Sequence, residues 1–359
     1  NRTMRAAKHR IAAGRLRRAR LGLAGLGRIG LLHATNLTGR VDSAELVHVV
    51  DADESLARAT GERLGVEWGT SYEDLVADPE VDGVVIATPT PLHVEMIERA
   101  AAHGKHVFCE KPISLDLPST LAAVEAARNG GGILQAGLHR RFDPDWAAAA
   151  ERIRAGELGD IYLFRTTLRD KQPPPLDYIR DSGGFFVDVT IHDLDTARWL
   201  VDEIVEVTAF GAALSDPRFA EVGDVDNAVV ALRFVGGALG VIDESRVAGY
   251  GYECSTEIVG SRATVRIGNH RRTHDVWLTP GSAAVDWVDD FTERFPDAYA
   301  LELESFATAI LEGRQAAVTG EDALAAFVLA QACERSFREG RTIQLRHEER
   351  VGSVSYEAA

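Results

Sequence analysis

The sequence predicts an α/β protein of two domains: a parallel-sheet domain over residues 20–138, then an α+β domain over residues 139–345 built on a large, mainly antiparallel open sheet. Three observations predict it. Up to about Leu138, short β-branched apolar runs alternate with helical patterns, which implies parallel strands joined by right-handed crossovers. Past Leu138, β-rich runs follow one another through short glycine turns such as Val235-Gly236-Gly237-Ala238, the mark of antiparallel pairing. And 359 residues exceed what one hydrophobic core usually holds.

The first strand is expected over residues 21–24, and Gly25-Leu26-Gly27-Arg28-Ile29-Gly30 follows at once, opening a helix over 29–37. Strand, G-x-G-x-x-G turn and helix in that order form a dinucleotide-binding signature. Gly25 permits the tight turn, Gly27 lets the backbone approach a pyrophosphate, and Gly30 allows close helix–strand contact. The second strand, 46–51, ends on Asp51, 21 residues past Gly30, where an acid grips the adenosine ribose hydroxyls. A carboxylate there repels a 2′-phosphate, and Ala52 follows it in place of an arginine, so NAD is expected rather than NADP. A helix over 54–64 completes one mononucleotide-binding half of a Rossmann domain. Strand 81–87 leads into Thr88-Pro89-Thr90-Pro91, which leaves Thr88 beside the glycine turn; a proline-rich helix cap is the plain alternative for this loop. Helix 91–103, strand 105–109, helix 117–129 and strand 132–136 finish the domain.

Strand 105–109 delivers Glu110-Lys111-Pro112 to the carboxyl edge of the sheet, where ligands of open α/β sheets sit. Lysine is rare: the 39 Lys plus Arg comprise four lysines (Lys8, Lys105, Lys111, Lys171) and 35 arginines. A lysine at a strand end in such a chain suggests a need for a compact ammonium that polarises an oxygen, against the alternative of a surface lysine beside a turn proline.

In the second domain a helix is expected over 143–155, a strand over 161–168 and an excursion loop over 170–182 with Pro173-Pro174-Pro175. Segment 183–195 then sets Asp188 and His192 four residues apart at the start of a helix. At about 100° per residue, Asp188, His192 and Asp195 share a wedge of roughly 60°, with Leu194, Ala197 and Val201 opposite. A carboxylate beside an imidazole holds its tautomer and raises its basicity, as a general base for an alcohol proton requires. The same spacing also suits an ordinary solvated helix face. Strands follow over 204–213, 228–235, 240–245, 254–259, 264–267 and 275–278. Helices over 299–311 and 321–340 carry Leu/Phe/Ala stripes that read as core packing.

Together these segments resemble the Gfo/Idh/MocA oxidoreductase family, and within it the inositol 2-dehydrogenase branch, from about Arg20 to about Leu345. The resemblance rests on the glycine turn, Ala87-Thr88-Pro89-Thr90-Pro91-Leu92-His93, Glu110-Lys111-Pro112 and segment 183–195. Tyr250-Gly251-Tyr252-Glu253 and Glu293-Arg294-Phe295-Pro296-Asp297-Ala298-Tyr299 add to it. It implies that Lys111, Asp188 and His192 are the family's catalytic triad. Thr88, His93, Glu110 and Lys111 then join Gly25, Gly27, Arg28, Ile29, Gly30 and Asp51 around the cofactor, and Arg141, Tyr252 and Tyr299 face the substrate beside the triad. Family members commonly carry Asn two residues before that arginine; this chain has His139.

The implied activity is NAD-dependent oxidation of a ring hydroxyl of a cyclic polyol, myo-inositol foremost. His192 takes the hydroxyl proton, Asp188 orients the imidazole, Lys111 holds the reacting oxygen, and hydride passes to the nicotinamide. The same scaffold serves other sugar oxidoreductases acting on glucose, xylose or anhydro sugars, NAD-dependent glycosidases, and non-catalytic NAD-binding regulators. An intact proton-handling set argues against the last.

A net charge of −16 opposes nucleic acid and anionic membranes, and no apolar run approaches the ~20 residues of a membrane span. Three scattered cysteines suit neither a disulfide framework nor a zinc site; no metal and a cytoplasmic setting are expected. Residues 1–19 are expected to be a basic, acid-free extension and 346–359 a tail. An open sheet with one uncovered face predicts a homo-oligomer, dimer or tetramer.

Overall fold

The computed structural model describes residues 17–268, 270–350 and 353–358, so the expected basic extension lies almost wholly outside the described residues. β1 (Ala19–Ala24) feeds Gly25 and then α1 (Arg28–Gly39); β2 (Ala44–Val50) and α2 (Glu54–Leu64) repeat the unit. Two short elements that carry no sequence period follow, β3 (Glu67–Gly69) and α3 (Tyr72–Ala77), the latter capped by the Ser71 side chain. Next come β4 (Gly83–Ile86), α4 (His93–Ala102), β5 (His106–Glu110), α5 (Leu117–Asn129) and β6 (Leu134–Gly137). The strands lie in the order β3-β2-β1-β4-β5-β6 with every pair parallel. That is the dinucleotide-binding order, and its direction reverses between β1 and β4, where the glycine turn sits. All four residues of β4 are buried, which is why it reads as a continuous apolar run.

The second domain opens with α6 (Pro144–Arg154) and β7 (Ile161–Arg169). The excursion loop contains α7 (Leu176–Asp181). Gly183 and Gly184 both take positive φ, a backbone shape glycine adopts freely, and the chain turns into a wide π-helical segment, Phe186–Thr190, that leads into α8 (Ile191–Leu200). The remaining elements are β8 (Ile204–Ala212), α9 (Arg218–Glu221), β9 (Asn227–Phe234), β10 (Leu239–Ser245), β11 (Glu253–Gly260), β12 (Thr264–Ile267), β13 (Arg271–Thr279), β14 (Ser282–Trp287), α10 (Phe291–Arg294), α11 (Pro296–Glu312), α12 (Gly320–Glu339), β15 (Ile343–Arg350) and β16 (Ser353–Ala358). Eight of these strands form one sheet, β12-β11-β7-β10-β9-β8-β15-β16, antiparallel throughout except for β7 with β10. The segment expected as a tail therefore continues β15 and returns as an edge strand. β13 and β14 make a separate hairpin.

In β9 the even positions Ala228, Val230, Leu232 and Phe234 are buried, and they pack in one core with Phe327, Leu329 and Cys333 of α12. The opposite face of the sheet carries exposed apolar pairs directly across from one another, Phe210 with Val229 and Leu163 with Leu239. The expected border at 138/139 separates the two sheets but not their packing. Leu303, Phe306 and Ala307 of α11 close the first domain's core against Leu21, Leu23 and Phe108. No helix among the described residues is long and apolar enough to cross a membrane. Cys109, Cys254 and Cys333 are all buried.

Candidate active site

The glycine turn is shaped by steric necessity. Gly25 has φ +89°, and a Cβ there would stand 2.6 Å from the Ala87 carbonyl oxygen. A Cβ at Gly30 would fall 1.9 Å from the Gly25 oxygen, whereas one at Gly27 would meet nothing within 4 Å. The first and third glycines thus permit packing, and the second keeps a space open before the N-terminus of α1, whose N-cap Gly27 offers no side-chain hydrogen bond. Free backbone N–H groups and a positive dipole end facing open space fit a pyrophosphate. Asp51 lies against the same turn, its Oδ2 accepting from the Leu26 N–H at 2.7 Å and its Oδ1 from the Asp53 N–H at 2.9 Å. Ile29 is half-buried in the first turn of α1.

Four residues expected around the cofactor make other contacts. Arg28 leaves the turn to pair with Asp290 at 2.6 Å and lies over the Phe291 ring. His93 is buried, its Nε2 2.8 Å from the Thr88 carbonyl and its Nδ1 2.9 Å from the Pro112 carbonyl, so it ties the loops after β4 and β5 together. The Thr88 hydroxyl contacts the Met96 sulfur at 3.3 Å. Glu110 is bonded to His33 at 2.7 Å. Glu302, fully buried and with no hydrogen-bond partner on its carboxyl group, stands near them; burial and Glu110 push that carboxyl well up, so it is held as the acid.

Lys111 leaves the end of β5 and donates from Nζ to the Asp188 carbonyl at 2.7 Å and to Asp188 Oδ1 at 2.9 Å. The Tyr178 hydroxyl donates to the same Oδ1 at 2.8 Å, and Arg246 pairs with Oδ2 at 3.1 Å. Burial alone would raise the Asp188 carboxyl, but Lys111 and Arg246 outweigh it and hold it at about 2. Burial pulls Lys111 down, and Asp188 more than restores it, so the ammonium stays charged. Tyr178 and Arg246 were not legible: one lies in the excursion loop, the other just past a strand end, and neither carries a local signal. Asp170 joins the same surroundings, its carboxyl pushed up to about 6 by burial against the pull of Arg246.

The sequence expectation that Asp188 orients His192 is corrected here. Every hydrogen bond of the Asp188 carboxylate goes to Lys111, Tyr178 or Arg246, and His192 Nδ1 is buried with no partner. The cause is long-range: the cations Lys111 and Arg246 and the Tyr178 hydroxyl, brought in from other parts of the chain, take up both carboxylate oxygens. Asp195 does not share the site either. It accepts from Arg141 Nε at 2.9 Å, and Arg141 also reaches Asp322 at 3.1 Å, which commits this expected substrate residue to a buried ion-pair group. Tyr299 is brought in, stacked on His139, which meets His192; Tyr252 stands one ring behind, edge-on to Phe295. Burial, then Lys111, His139 and Arg140, push the His192 imidazole well below its usual 6.5, so the ring is neutral at ordinary pH.

Residues 19–138 match the oxidoreductase family's NAD-binding Rossmann fold, and residues 150–345 match its C-terminal alpha/beta domain. The chain belongs to the Gfo/Idh/MocA oxidoreductase family. It is an NAD-dependent dehydrogenase. This Gfo/Idh/MocA protein is 43% identical over 339 residues to the myo-inositol 2-dehydrogenase of Thermotoga maritima, which covers 93% of this chain and 100% of that one. It is 39% identical over 328 residues to the scyllo-inositol 2-dehydrogenase (NAD(+)) of Bacillus subtilis, covering 91% and 96%. Among solved structures, scyllo-inositol dehydrogenase from Lactobacillus casei with bound NAD(H) and scyllo-inositol superposes with a TM-score of 0.86 at 28% identity, covering 91% of this chain and 99% of that one.

Proposed function

We propose that this protein is an inositol 2-dehydrogenase, oxidising a ring hydroxyl of a cyclic polyol with myo-inositol as the first substrate to test. The observation that carries the reading is a charged Lys111 at the end of β5, held by Asp188, whose charge acts on the half-buried, neutral ring of His192 on α8. Inositol dehydrogenases among its relatives support it. When bound, NAD supplies the hydride acceptor.

The chain's own residues do the rest. Gly25, Gly27, Gly30 and the N-terminus of α1 hold the pyrophosphate, and Asp51 takes the ribose hydroxyls. Lys111 donates a hydrogen bond to the reacting hydroxyl oxygen and stabilises the charge that gathers there. His192 accepts the hydroxyl proton; Nδ1 is sealed off, so Nε2 is the accepting atom. The O–H bond thus breaks toward the imidazole, the C–H electron pair leaves with the hydride, and a carbonyl remains. Asp188 acts on Lys111 rather than on His192, fixing the ammonium from two atoms. Tyr299 lines the substrate side, and Tyr252 backs it through Phe295.

The deciding assay follows NADH absorbance with NAD and a panel of myo-inositol, scyllo-inositol, D-chiro-inositol, glucose and xylose. Turnover with an inositol and not with the aldoses is expected. Turnover with aldoses alone would move the substrate to another sugar, and silence with NAD binding intact would overturn the dehydrogenase mechanism. Asp51→Ala is expected to raise the NADP-to-NAD ratio of kcat/KM, because it removes the carboxylate that would repel a 2′-phosphate; an unchanged ratio counts against its ribose role.

The exposed sheet face supports a homo-oligomer. Phe210, Val229, Leu163 and Leu239 form paired apolar positions that a second copy would cover. Sedimentation of the native protein should give a mass above the 38.9 kDa of one chain, and a monomer would exclude this interface.

A further inference from the structure

His192 is held by something other than a carboxylate. The ring that lies against it is His139, 4.9 Å between centroids at 67°. His139 is itself clamped: Tyr299 stacks on it at 4.6 Å and 16°, and Phe295 meets it edge-on at 4.8 Å and 69°. The backbone carrying it is also fixed. His139 opens the 3₁₀ turn His139–Phe142, and its next two residues grip α8 in turn. Arg140 makes two bonds to Asp193, at 2.6 and 3.0 Å, with both side chains buried, and Arg141 grips Asp195. The ring contact of His139 with His192 is therefore the third rung of a ladder whose other two rungs are ion pairs.

We infer that His139 is a positioning residue for His192: its clamped ring is the wall that sets the angle of the His192 imidazole and keeps water from its inner edge. The inference rests on the reading of His192 as the general base. The groups around the pair fit an uncharged wall. His192 faces Lys111, His139 and Arg140; His139 faces Arg140, Lys111, Arg294 and His33. His139 Nε2 is buried without a partner, so a proton there would be unsolvated, and His192 Nδ1, likewise unpartnered, carries the single N–H of the neutral ring whose Nε2 accepts. Burial and the cations around them push both imidazoles well below 6.5. A neutral ring adds no charge beside a base that must start neutral.

The test compares variants that remove the ring, His139→Ala and His139→Asn, with one that keeps a ring but no nitrogens, His139→Phe. NAD titration confirms that each variant is folded. Loss of the ring is expected to lower kcat about 10²-fold, the scale of an ångström of misplacement, with NAD affinity unchanged. Water entering beside His192 relieves its desolvation, so the acid limb of the kcat/KM profile should move up toward 6.5. His139→Phe should recover kcat to within about tenfold of wild type and restore the low acid limb. Wild-type kcat and an unmoved acid limb in both ring-less variants would overturn the inference, as would a phenylalanine variant no better than alanine. Undiminished kcat in His192→Ala would instead overturn the base itself, whatever the His139 variants do.

Discussion

Alanine at His192 is expected to lower kcat by about 10²–10⁴-fold while the dissociation constant for NAD stays at the wild-type value. The separation follows from geometry. The dinucleotide cradle proposed above, the glycine turn and Asp51, lies at the β1–β4 reversal, whereas His192 stands on α8 of the second domain. Its Nδ1 makes no hydrogen bond, so its removal breaks no ion pair. Tryptophan fluorescence or calorimetric titration with NAD, run beside the NADH assay, reads the two properties independently. Loss of NAD binding in a folded variant would contradict the assignment, as would a kcat within threefold of wild type.

Asparagine at Asp188 is expected to damage both activity and fold. The carboxylate neutralises Lys111 and Arg246 at once, at 2.9 and 3.1 Å, in a largely buried site. Asparagine fills the same volume but leaves two cations confronting each other, and breaking a buried pair from one side costs about 3–5 kcal/mol. The sign with pH follows from the low carboxyl pKa of about 2. A depressed carboxylate contributes stability above its unfolded value, and that contribution fades only as acid approaches the folded value. The wild-type advantage over Asp188→Asn should therefore be full at neutral pH and shrink below about pH 4. A denaturation midpoint equal to wild type at pH 7 would show that water reaches the two cations. Turnover should fall as well, because Lys111 loses the atom that aims its ammonium.

How far the sequence reveals these features depends on how local each one is. The glycine turn, Asp51 and Lys111 are legible because a strand end, a tight turn and a helix start are contiguous, and their spacing alone carries them to one sheet edge. Alternation in β9 is equally local. The relation of Asp188 to His192 is not, since spacing says which residues share a face but not which distant groups claim the carboxylate. Tyr178 and Arg246 reach Asp188 across 10 and 58 residues through folding of the loop and of β10, which no periodicity announces. Helix α11 reads correctly as core packing, but it packs against the first domain, and chain order offers no warning of that.

The seating of Lys111 also governs how the native protein meets amine-directed reagents. Lys105 is buried with its ammonium on the carbonyl oxygens of Asp78 and Val81, and Lys171 is paired with Asp289 at the surface. An acylating reagent attacks only an unprotonated, unencumbered amine, and Asp188 keeps Lys111 in the opposite state. Each modification at that position therefore records one opening of the ion pair. Peptide mass spectrometry of slowly labelled enzyme can count those openings with no substrate present, turning a scarce residue into a built-in timer of active-site breathing.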